Sequence, residues 1–320
     1  MGEPAVPDLL TVGRISVDLY STEPGVGWDE VSMFAKSTGG SATNVAVAAA
    51  RLGHHAAVLT KVGADPFGAF LRRRLEALGV DTRFVGVHPE LRTPLAFAVL
   101  DPPDDPQLLF YREPTAPDLT IEMADVDPTV VANASVVWVT GTGMSAEPSA
   151  STTLEILRRR ARRRHTVVDL DFRPSLWTSR TAAERRIGSL LSFATVAVGN
   201  CQECEVVVGT ADPSRAADRL LAAGVDMAVV KQGGAGVLVA TSGRRQLVPP
   251  RKVPVVCGLG AGDAFGGALV HGLLRGWDPV RAVTFANAAG ALVASRVLCA
   301  DAMGTAEEIS EIMGSAGGTV

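Results

Sequence analysis

The chain has 320 residues, of which 47% are hydrophobic, 20% are charged and 33 are glycine, so one large α/β domain or two modest ones could form a substantial core. Its formal net charge of −4 at pH 7 gives no reason to expect nucleic-acid binding. The sequence lacks a charged N-terminal region followed by a long apolar run, and it lacks an apolar segment of membrane-spanning length. We therefore expect a cytoplasmic protein that does not enter membranes.

Predicted strands and helices alternate along most of the chain. A strand at 9–12 precedes a helix at 42–52, and a strand at 56–59 precedes a helix at 67–78. Further strands are predicted at 136–139, 166–170, 196–198 and 227–230, and two helices of small and apolar residues at 264–274 and 280–294. This alternation predicts an α/β fold with a mostly parallel sheet and helices on both faces.

Two segments interrupt the alternation. Residues 14–38 and 93–112 contain short alternating strands instead of helices. We expect them to pair as a small sheet outside the main layer and to act as a lid over a ligand crevice. At the other end of the chain, the glycine-rich residues 314–320 are predicted to form a disordered tail.

Two local patterns have simple structural interpretations. Six arginines lie between residues 158 and 164, after a helical pattern, and we interpret them as the solvated end of a helix rather than as a nucleic-acid patch. Cys201 and Cys204 have CxxC spacing, but no second pair or nearby histidine completes a zinc site. A pair of reduced thiols is the simpler interpretation, and a redox motif is the alternative.

A turn of glycines followed by an aspartate is the most informative motif. After an apolar strand come Gly260, Ala261, Gly262 and Asp263, and then a helix of small residues. The first N–H groups of a helix are unpaired and carry a partial positive charge, which suits a phosphate. A carboxylate there would repel the phosphate unless it takes a proton from a reacting group. An aspartate in the first turn of a glycine-linked helix is the plain structural alternative.

Two further motifs combine polar side chains with helix starts. Gly39 and Gly40 permit close approach of backbone to a ligand, and Asn44 can bind a hydroxyl, although an ordinary capped helix explains them too. Asn200 and Glu203 have the spacing of a capping box. Alternatively, their oxygens hold Mg²⁺ and phosphates, directly or through water.

Basic residues and a glycine loop complete the candidate set. Lys231, Gly233 and Gly236 form a glycine-rich loop after a strand, which is either a simple turn or part of a ligand site. Arg173 follows the strand at 166–170, at an edge where open α/β sheets bind ligands. With Arg112 it could clamp an acidic substrate, and a surface ion pair is the alternative for either arginine.

Two common nucleotide-binding motifs are absent. The sequence has no GxxxxGK[ST] and is therefore not a P-loop enzyme. The turn at 258–266 also differs from GxGxxG, because Asp263 stands in place of the third glycine and the turn lies far from the first strand.

In their order along the chain, the Gly39-Gly40…Asn44, Asn200…Glu203, Gly233…Gly236 and Gly260-Ala261-Gly262-Asp263 motifs resemble those of the ribokinase (PfkB) family of carbohydrate kinases. The resemblance spans nearly the whole chain. It implies one kinase domain over 1–320, with three α/β/α layers, a mostly parallel sheet and a small β-sheet lid. It also implies ATP and Mg²⁺ as cofactors.

The resemblance implies a role for each motif. Asp263 would be the general base on a sugar hydroxyl, and the amides of Gly260, Ala261 and Gly262 would stabilise the transferred phosphoryl group. The substrate-binding residues would be Asp18, Gly39, Gly40, Asn44, Arg112 and Arg173. The ATP-binding residues would be Asn200, Lys231, Gly233, Gly236 and Asn287, with Glu203 on Mg²⁺ through water.

The resemblance also implies a substrate. Segments 13–20, 169–177 and 285–290 look most like the family members that phosphorylate the primary hydroxyl of 5-dehydro-2-deoxygluconate in myo-inositol breakdown. The arginine positions agree with an acidic sugar as partner. Fructose, 2-keto-3-deoxygluconate or a nucleoside remain alternative acceptors, and a non-catalytic sugar sensor is a remote one. Family members often dimerise through the lid, so a homodimer is possible.

One departure from the family concerns a monovalent cation. Where the family usually has Asp-Thr, this chain has Cys257 and Gly258. That aspartate commonly helps to bind the cation, whereas backbone carbonyls could still contribute. Dependence on K⁺ is therefore left open.

Overall fold

The computed structural model describes residues 5–23, 25–104, 106–163 and 165–314. Its strands are β1 (Leu9–Val12), β2 (Ser16–Ser21), β3 (Phe34–Gly39), β4 (Ala56–Gly63), β5 (Val85–His88), β6 (Leu95–Val99), β7 (Gln107–Tyr111), β8 (Val136–Thr140), β9 (Thr166–Asp169), β10 (Val196–Asn200), β11 (Met227–Lys231), β12 (Val237–Thr241) and β13 (Arg244–Val248). Its α-helices are α1 (Ser41–Arg51), α2 (Pro66–Ala77), α3 (Pro128–Asn133), α4 (Ser149–Arg160), α5 (Arg180–Gly188), α6 (Cys201–Val208), α7 (Pro213–Ala222), α8 (Ala261–Leu274), α9 (Pro279–Ala294) and α10 (Ala306–Gly314). The predicted helices and main-sheet strands are thus confirmed to within a few residues.

The central sheet has nine strands in the order β13-β12-β11-β10-β9-β8-β1-β4-β5. All neighbouring strands from β11 to β5 pair in parallel, whereas β12 pairs antiparallel with both β11 and β13. This arrangement confirms the mostly parallel sheet that the alternation predicted. Because parallel strands all run the same way, their carboxyl ends and the loops that follow meet along one edge.

Both faces of this sheet are covered by helices. Side chains alternate between the faces of a strand, so Leu9 and Val136 pack into one core while Leu10 and Val137 pack into the other. The first core includes residues of α1, α8 and α9, and the second includes residues of α4, α5 and α7. The molecule therefore has three layers, and the two helices of small residues, α8 and α9, are buried as expected.

Helices α1 and α8 pack unusually closely. A Cβ added at Gly267 of α8 would lie 2.3 Å from the Cβ of Ala48 in α1, so only glycine permits this approach. Each contact residue lies one helical turn after a polar residue, Asn44 in α1 and Asp263 in α8. The close packing therefore brings these two first turns together.

The segments that interrupt the alternation form a second sheet. Its four strands lie in the order β3-β2-β6-β7, with β2 and β6 parallel and the two outer pairs antiparallel. This confirms a small sheet separate from the main one. Of the tail predicted at 314–320, Gly314 ends α10 and the rest lies outside the described residues.

The interpretation of the arginine run as a solvated helix end was wrong for Arg160. Helix α4 does end within the run, and Arg159 is exposed, but Arg160 is 0% exposed. Its guanidinium donates to the carbonyl oxygen of Val131 at 2.9 Å, that of Ser135 at 3.1 Å and Oγ1 of Thr166 at 3.0 Å. Arg160 therefore joins α3, α4 and the start of β9 from inside, and burial lowers its pKa to about 10.

Two other expectations concern the cysteines and membranes. All four cysteines are free thiols, which agrees with the simpler interpretation of Cys201 and Cys204 as reduced thiols. Burial raises the pKa of Cys204 to about 12, which makes this thiol a poor nucleophile. Within the described ranges, no helix is long and apolar enough to cross a membrane.

Replacing Arg160 should destabilise the fold. We expect Arg160→Met to lower the free energy of unfolding by roughly 2–4 kcal/mol, because the carbonyl oxygens of Val131 and Ser135 and Oγ1 of Thr166 lose their donor. Urea unfolding would measure the change. The matched control is Arg159→Met, whose exposed ion pair with Glu155 should contribute less than about 0.5 kcal/mol. Equal effects of the two variants would contradict the structural role of Arg160.

Candidate active site

The first turns of α1 and α8 meet beside the carboxyl edge of the sheet. Nδ2 of Asn44 donates to Oδ2 of Asp263 at 2.8 Å. Oδ1 of Asn44 is buried and has no partner among the described residues, so it can accept a hydrogen bond from a ligand hydroxyl. Gly40, just before α1, has φ +101° and lies so close to the carbonyl of Arg14 that a Cβ would be 2.3 Å from its oxygen.

The glycine turn forms a start for α8 that suits an anion. Gly260 caps the helix with φ +78°, and a Cβ there would lie 2.6 Å from Sγ of Cys299, so glycine is required on both counts. The helix begins at Ala261, and its first amides have no acceptor within the helix. The ammonium of Lys231 lies against this start, 3.3 Å from where a Cβ of Gly262 would be. Amides, helix dipole and ammonium together favour a phosphate.

The environment of Asp263 gives it the pKa of a useful base. Burial raises its pKa, the hydrogen bond from Asn44 lowers it, the charge of Asp171 raises it, and Arg14 and Arg173 lower it, with a net value of about 6. A carboxyl with such a pKa is mostly ionised at neutral pH, yet it is more basic than an ordinary aspartate. Asp263 can therefore accept a proton from a hydroxyl placed beside it.

An inner cavity of about 40 Å³ lies next to Asp263, between the main body and the small sheet. It is lined by Arg14, Asp18, Tyr20, Gly40, Asn44, Ala96, Leu108, Phe110, Arg173, Leu259, Gly260, Asp263 and Cys299. Strands β2, β6 and β7 of the small sheet thus cover it. The volume holds only a few water molecules, so a larger ligand requires the small sheet to move outward.

Asp18 reaches the inner cavity from strand β2 of the small sheet. Its carboxylate accepts hydrogen bonds from Oγ of Ser16 at 2.7 Å and from the hydroxyl of Tyr20 at 3.2 Å. Burial raises its pKa above the ordinary value, which the two hydroxyls and Arg14 partly oppose. Gly39 packs directly on this carboxyl group, since a Cβ there would lie 2.0 Å from it.

The arginines expected to clamp an acid are in different surroundings. Arg173 lines the inner cavity, and its Nε is buried without a hydrogen bond, 3.6 Å from Oδ1 of Asp171. Arg112 forms an ion pair with the buried Asp118, and it is not among the residues lining the cavity. The structure therefore brings Arg173, but not Arg112, to the cavity beside Asp263.

An outer cleft of about 730 Å³ lies on the other side of the start of α8. Four of its lining residues belong to the predicted nucleotide set: Lys231, Gly233, Gly236 and Asn287. Ala261 and Gly262 line it too. The cleft and the inner cavity thus meet at the glycine turn, which is the arrangement needed to bring a phosphate donor and an acceptor together.

Asn200 and Glu203 form the capping box that their spacing predicted. Oδ1 of Asn200 accepts from the amide of Glu203 at 2.9 Å, and Oε2 of Glu203 accepts from the amide of Asn200 at 2.7 Å. Asn200 does not line the outer cleft. Their roles toward nucleotide and metal remain predictions.

The chemistry of the site fits a magnesium ion that arrives with phosphates. Within the described ranges, no three histidine, cysteine, aspartate or glutamate side chains cluster as a metal site. Mg²⁺ is usually bound by one or two carboxylates, waters and substrate phosphates rather than by a protein cage. Glu203 and Asp169 supply buried carboxyl oxygens near Lys231 and fit this mode.

Among the cavity-lining residues that sequence reasoning did not assign to the site, three have polar or ionisable side chains: Arg14, Tyr20 and Cys299. Arg14 follows β1 at the carboxyl edge of the sheet, and this position was the available signal. The hydroxyl oxygen of Tyr20 lies 2.7 Å from Sγ of Cys299. No local pattern marks a cysteine 279 residues from its partner, so only the fold reveals this contact.

Comparison with known proteins agrees with this geometry. The model of the family described as "pfkB family carbohydrate kinase" matches residues 6–306. The chain belongs to this family. Among curated PfkB relatives, the 5-dehydro-2-deoxygluconokinase of Photobacterium profundum is 33% identical, covering 96% of this chain and 94% of the relative. That of Bacillus subtilis is 29% identical, with coverage of 96% and 95%. The solved fructokinase with bound ATP from Xylella fastidiosa superposes with a TM-score of 0.85 at 26% identity, covering 97% of this chain and 99% of that one.

Membership of the PfkB family makes this chain a sugar kinase, and its three-layer fold with a separate small sheet matches that of the solved relative. The kinase reaction needs an acceptor hydroxyl and a phosphate donor on the two sides of one catalytic centre. In this structure the two spaces adjoin at Gly260–Asp263.

The pH dependence of the kinase should report the pKa of Asp263. We expect kcat/KM for the acceptor to fall about tenfold per pH unit below about pH 6 and to level off above it, because a protonated carboxyl cannot accept the hydroxyl proton. Steady-state rates between about pH 5 and pH 8 would measure this. A flat profile over that range would argue against Asp263 as the base.

A substitution at Asn44 sharpens this test. Asn44→Leu removes a hydrogen bond that lowers the pKa of Asp263, so the acid limb of the profile should move to higher pH. Cys204→Ser is a suitable control, since this buried thiol lies in α6 away from the cavity and should leave the limb in place. An unchanged limb in Asn44→Leu would show that another group titrates.

Proposed function

We propose that this kinase transfers the γ-phosphoryl group of ATP to the primary hydroxyl of 5-dehydro-2-deoxygluconate, in myo-inositol breakdown. The observation that carries the proposal is Asp263, a base with a pKa of about 6 held by Asn44 between the inner cavity and the glycine turn. The names of the curated relatives, at 29% and 33% identity over nearly the full length, support the acceptor.

In the proposed reaction, Asp263 takes the proton of the acceptor hydroxyl as its oxygen attacks the γ-phosphorus. The new oxygen–phosphorus bond forms while the bond between that phosphorus and the β–γ bridging oxygen breaks, and ADP leaves with the electron pair. The amides at Gly260, Ala261 and Gly262 and the ammonium of Lys231 stabilise the negative charge on the transferred group.

Lys231 is held in its charged form for this role. Burial alone would lower the pKa of its ammonium, but the charges of Asp169, Glu203 and Asp263 raise it above the ordinary value. Mg²⁺ bound near Glu203 through water would offset the charge of the phosphates. The nucleotide would occupy the outer cleft beside Gly233, Gly236 and Asn287, with Asn200 at its phosphate end.

An acidic acceptor fits the charges of the inner cavity. The buried Nε of Arg173 has no hydrogen-bond partner among the described residues, so it can donate to a substrate carboxylate. Asp18 and Asn44 provide acceptors and donors for sugar hydroxyls beside Gly39 and Gly40. A neutral sugar such as fructose would leave the buried Nε of Arg173 without a hydrogen bond.

Other features of the protein are part of the same proposal. The whole of 1–320 acts as one kinase domain in the cytoplasm, and the small sheet is a lid that opens to admit the acceptor. Exposed Leu109 and Tyr111 on β7 offer apolar surface through which two lids could pair in a homodimer. Support by K⁺ at Cys257 and Gly258 stays open.

An acceptor panel tests the proposal. With Mg·ATP, we expect kcat/KM to be at least about tenfold higher for 5-dehydro-2-deoxygluconate than for 2-keto-3-deoxygluconate, fructose or a nucleoside, because the arginine and hydroxyl contacts favour this acid. A coupled assay for ADP would measure the rates. Preference for a neutral sugar would refute the substrate and leave the kinase assignment intact.

The variant Asp263→Asn tests the base in the same assay. We expect kcat to fall by at least about 10²- to 10⁴-fold with little change in ATP binding, because the amide cannot accept the proton. Asp212→Asn, at the exposed start of α7, is the matched control and should retain full activity. Equal turnover in wild type and Asp263→Asn would refute the role of Asp263, and absence of turnover in both would favour the sensor alternative.

A further inference from the structure

Arg14 is a buried cation that has no carboxylate partner among the described residues. The residue is 8% exposed, and its Nε is buried with no hydrogen bond. No carboxylate oxygen of the described residues lies within 4.0 Å of its guanidinium, whereas Arg112 and Arg173 each have one. Burying an unpaired charge destabilises a fold by several kcal/mol in typical cases, so buried arginines normally have a carboxylate partner or, like Arg160, several neutral oxygen partners. Arg14 is an exception that calls for a ligand.

The surroundings of Arg14 orient it toward the inner cavity. It lines that cavity together with Arg173 and Asp263. Its guanidinium lies over the ring of Phe110, 5.6 Å from the ring centre, so the small sheet supports it from above. Three carboxyl groups feel its charge, since Arg14 lowers the pKa of Asp18, Asp171 and Asp263. None of them is hydrogen-bonded to it.

Arg112 has a different position. It forms an ion pair with Asp118, whose other carboxylate oxygen accepts a hydrogen bond from the amide of Ile15 at 2.9 Å. Ile15 is the residue next to Arg14, so this buried pair fixes the backbone from which Arg14 extends. The buried Nη1 of Arg112 also has no hydrogen bond among the described residues, but Arg112 does not line the inner cavity, so it is placed to position Arg14.

We propose that Arg14, with Arg173, binds the carboxylate of the acceptor and so determines the preference for a sugar acid, while Arg112 acts on it only through Asp118. The inference rests on the proposed function, because it names the residue that recognises the acid. Two guanidinium groups with free buried N–H donors on one small cavity match a carboxylate, which has two oxygens. Asp171 does not take the place of this carboxylate. Its Oδ2 accepts hydrogen bonds from Oγ of Ser41 at 2.5 Å and from Oγ1 of Thr142 at 2.6 Å, and its Oδ1 lies 3.6 Å from Nε of Arg173 without a hydrogen bond.

The test compares an acid with its neutral isostere. Wild type and Arg14→Gln are assayed at about pH 8, well above the pKa of about 6 of Asp263 in the wild type, with 5-dehydro-2-deoxygluconate and with its carboxamide. We expect Arg14→Gln to raise KM for the acid by about 10- to 100-fold and to change KM for the carboxamide by less than about threefold. Arg14→Lys should fall between wild type and Arg14→Gln, because it keeps the charge but loses the planar fork.

Two control variants separate binding from folding. Arg180→Gln removes an exposed arginine that pairs with Glu205 on the surface and should change neither KM nor stability. Arg112→Gln leaves Asp118 buried without its cation, so it should lower the urea midpoint, whereas Arg14→Gln should hardly change it. Titration with ATP would check that the nucleotide cleft is intact in each variant.

The outcomes distinguish this inference from the proposed function. If wild type does not phosphorylate the acid, the proposed substrate is wrong. If wild type does so and Arg14→Gln has the same KM for the acid, the proposed function stands and the role of Arg14 is refuted. Equal losses with the acid and the carboxamide would also refute it, since they would indicate a structural role alone.

Discussion

The active site depends on the close packing of α8 against α1. Gly267 has no Cβ, and this lets α8 approach Ala48 until the two helix starts share one space. Asn44 and Asp263 then meet at 2.8 Å although 219 residues separate them. A side chain at Gly267 would push the helices apart by more than the length tolerance of that hydrogen bond. Packing in the core thereby sets the position of Asp263.

Three carboxyl groups near one point have three different affinities for protons. Burial raises the pKa of Asp263 to about 6, which suits a base. Burial also acts on Asp171, but two arginines and two hydroxyls hold its pKa below the ordinary value, so it stays a fixed negative charge. Asp169, buried beside other carboxylates, has a pKa well above the ordinary value despite Lys231. Since the three side chains are chemically identical, their different pKa values come from the burial and the partners that the fold gives each of them.

Three buried arginines show how similar side chains take up different tasks. Arg160 has neutral oxygen partners and joins α3, α4 and β9, so it serves stability. Arg112 has one buried carboxylate partner and fixes the start of the small sheet. Arg14 has neither and faces the inner cavity. An arginine in the sequence predicts a positive charge, but its use follows from what surrounds the guanidinium.

The sequence by itself determined the α/β alternation, the separate small sheet and the glycine turn before Asp263, because hydrophobic periodicity and glycine positions are local signals. It also marked Arg173 and the loop that starts at Lys231 as candidate ligand-binding residues, since both follow strands at one edge of a parallel sheet. Only the tertiary structure decided that Arg160 is internal, that Arg112 pairs with Asp118, and that Arg14 lies in the cavity. These depend on contacts between distant segments, which no local pattern encodes. The sequence alone showed the glycine turn, whereas the raised pKa of Asp263 follows from its burial and from the partners that folding brings to it.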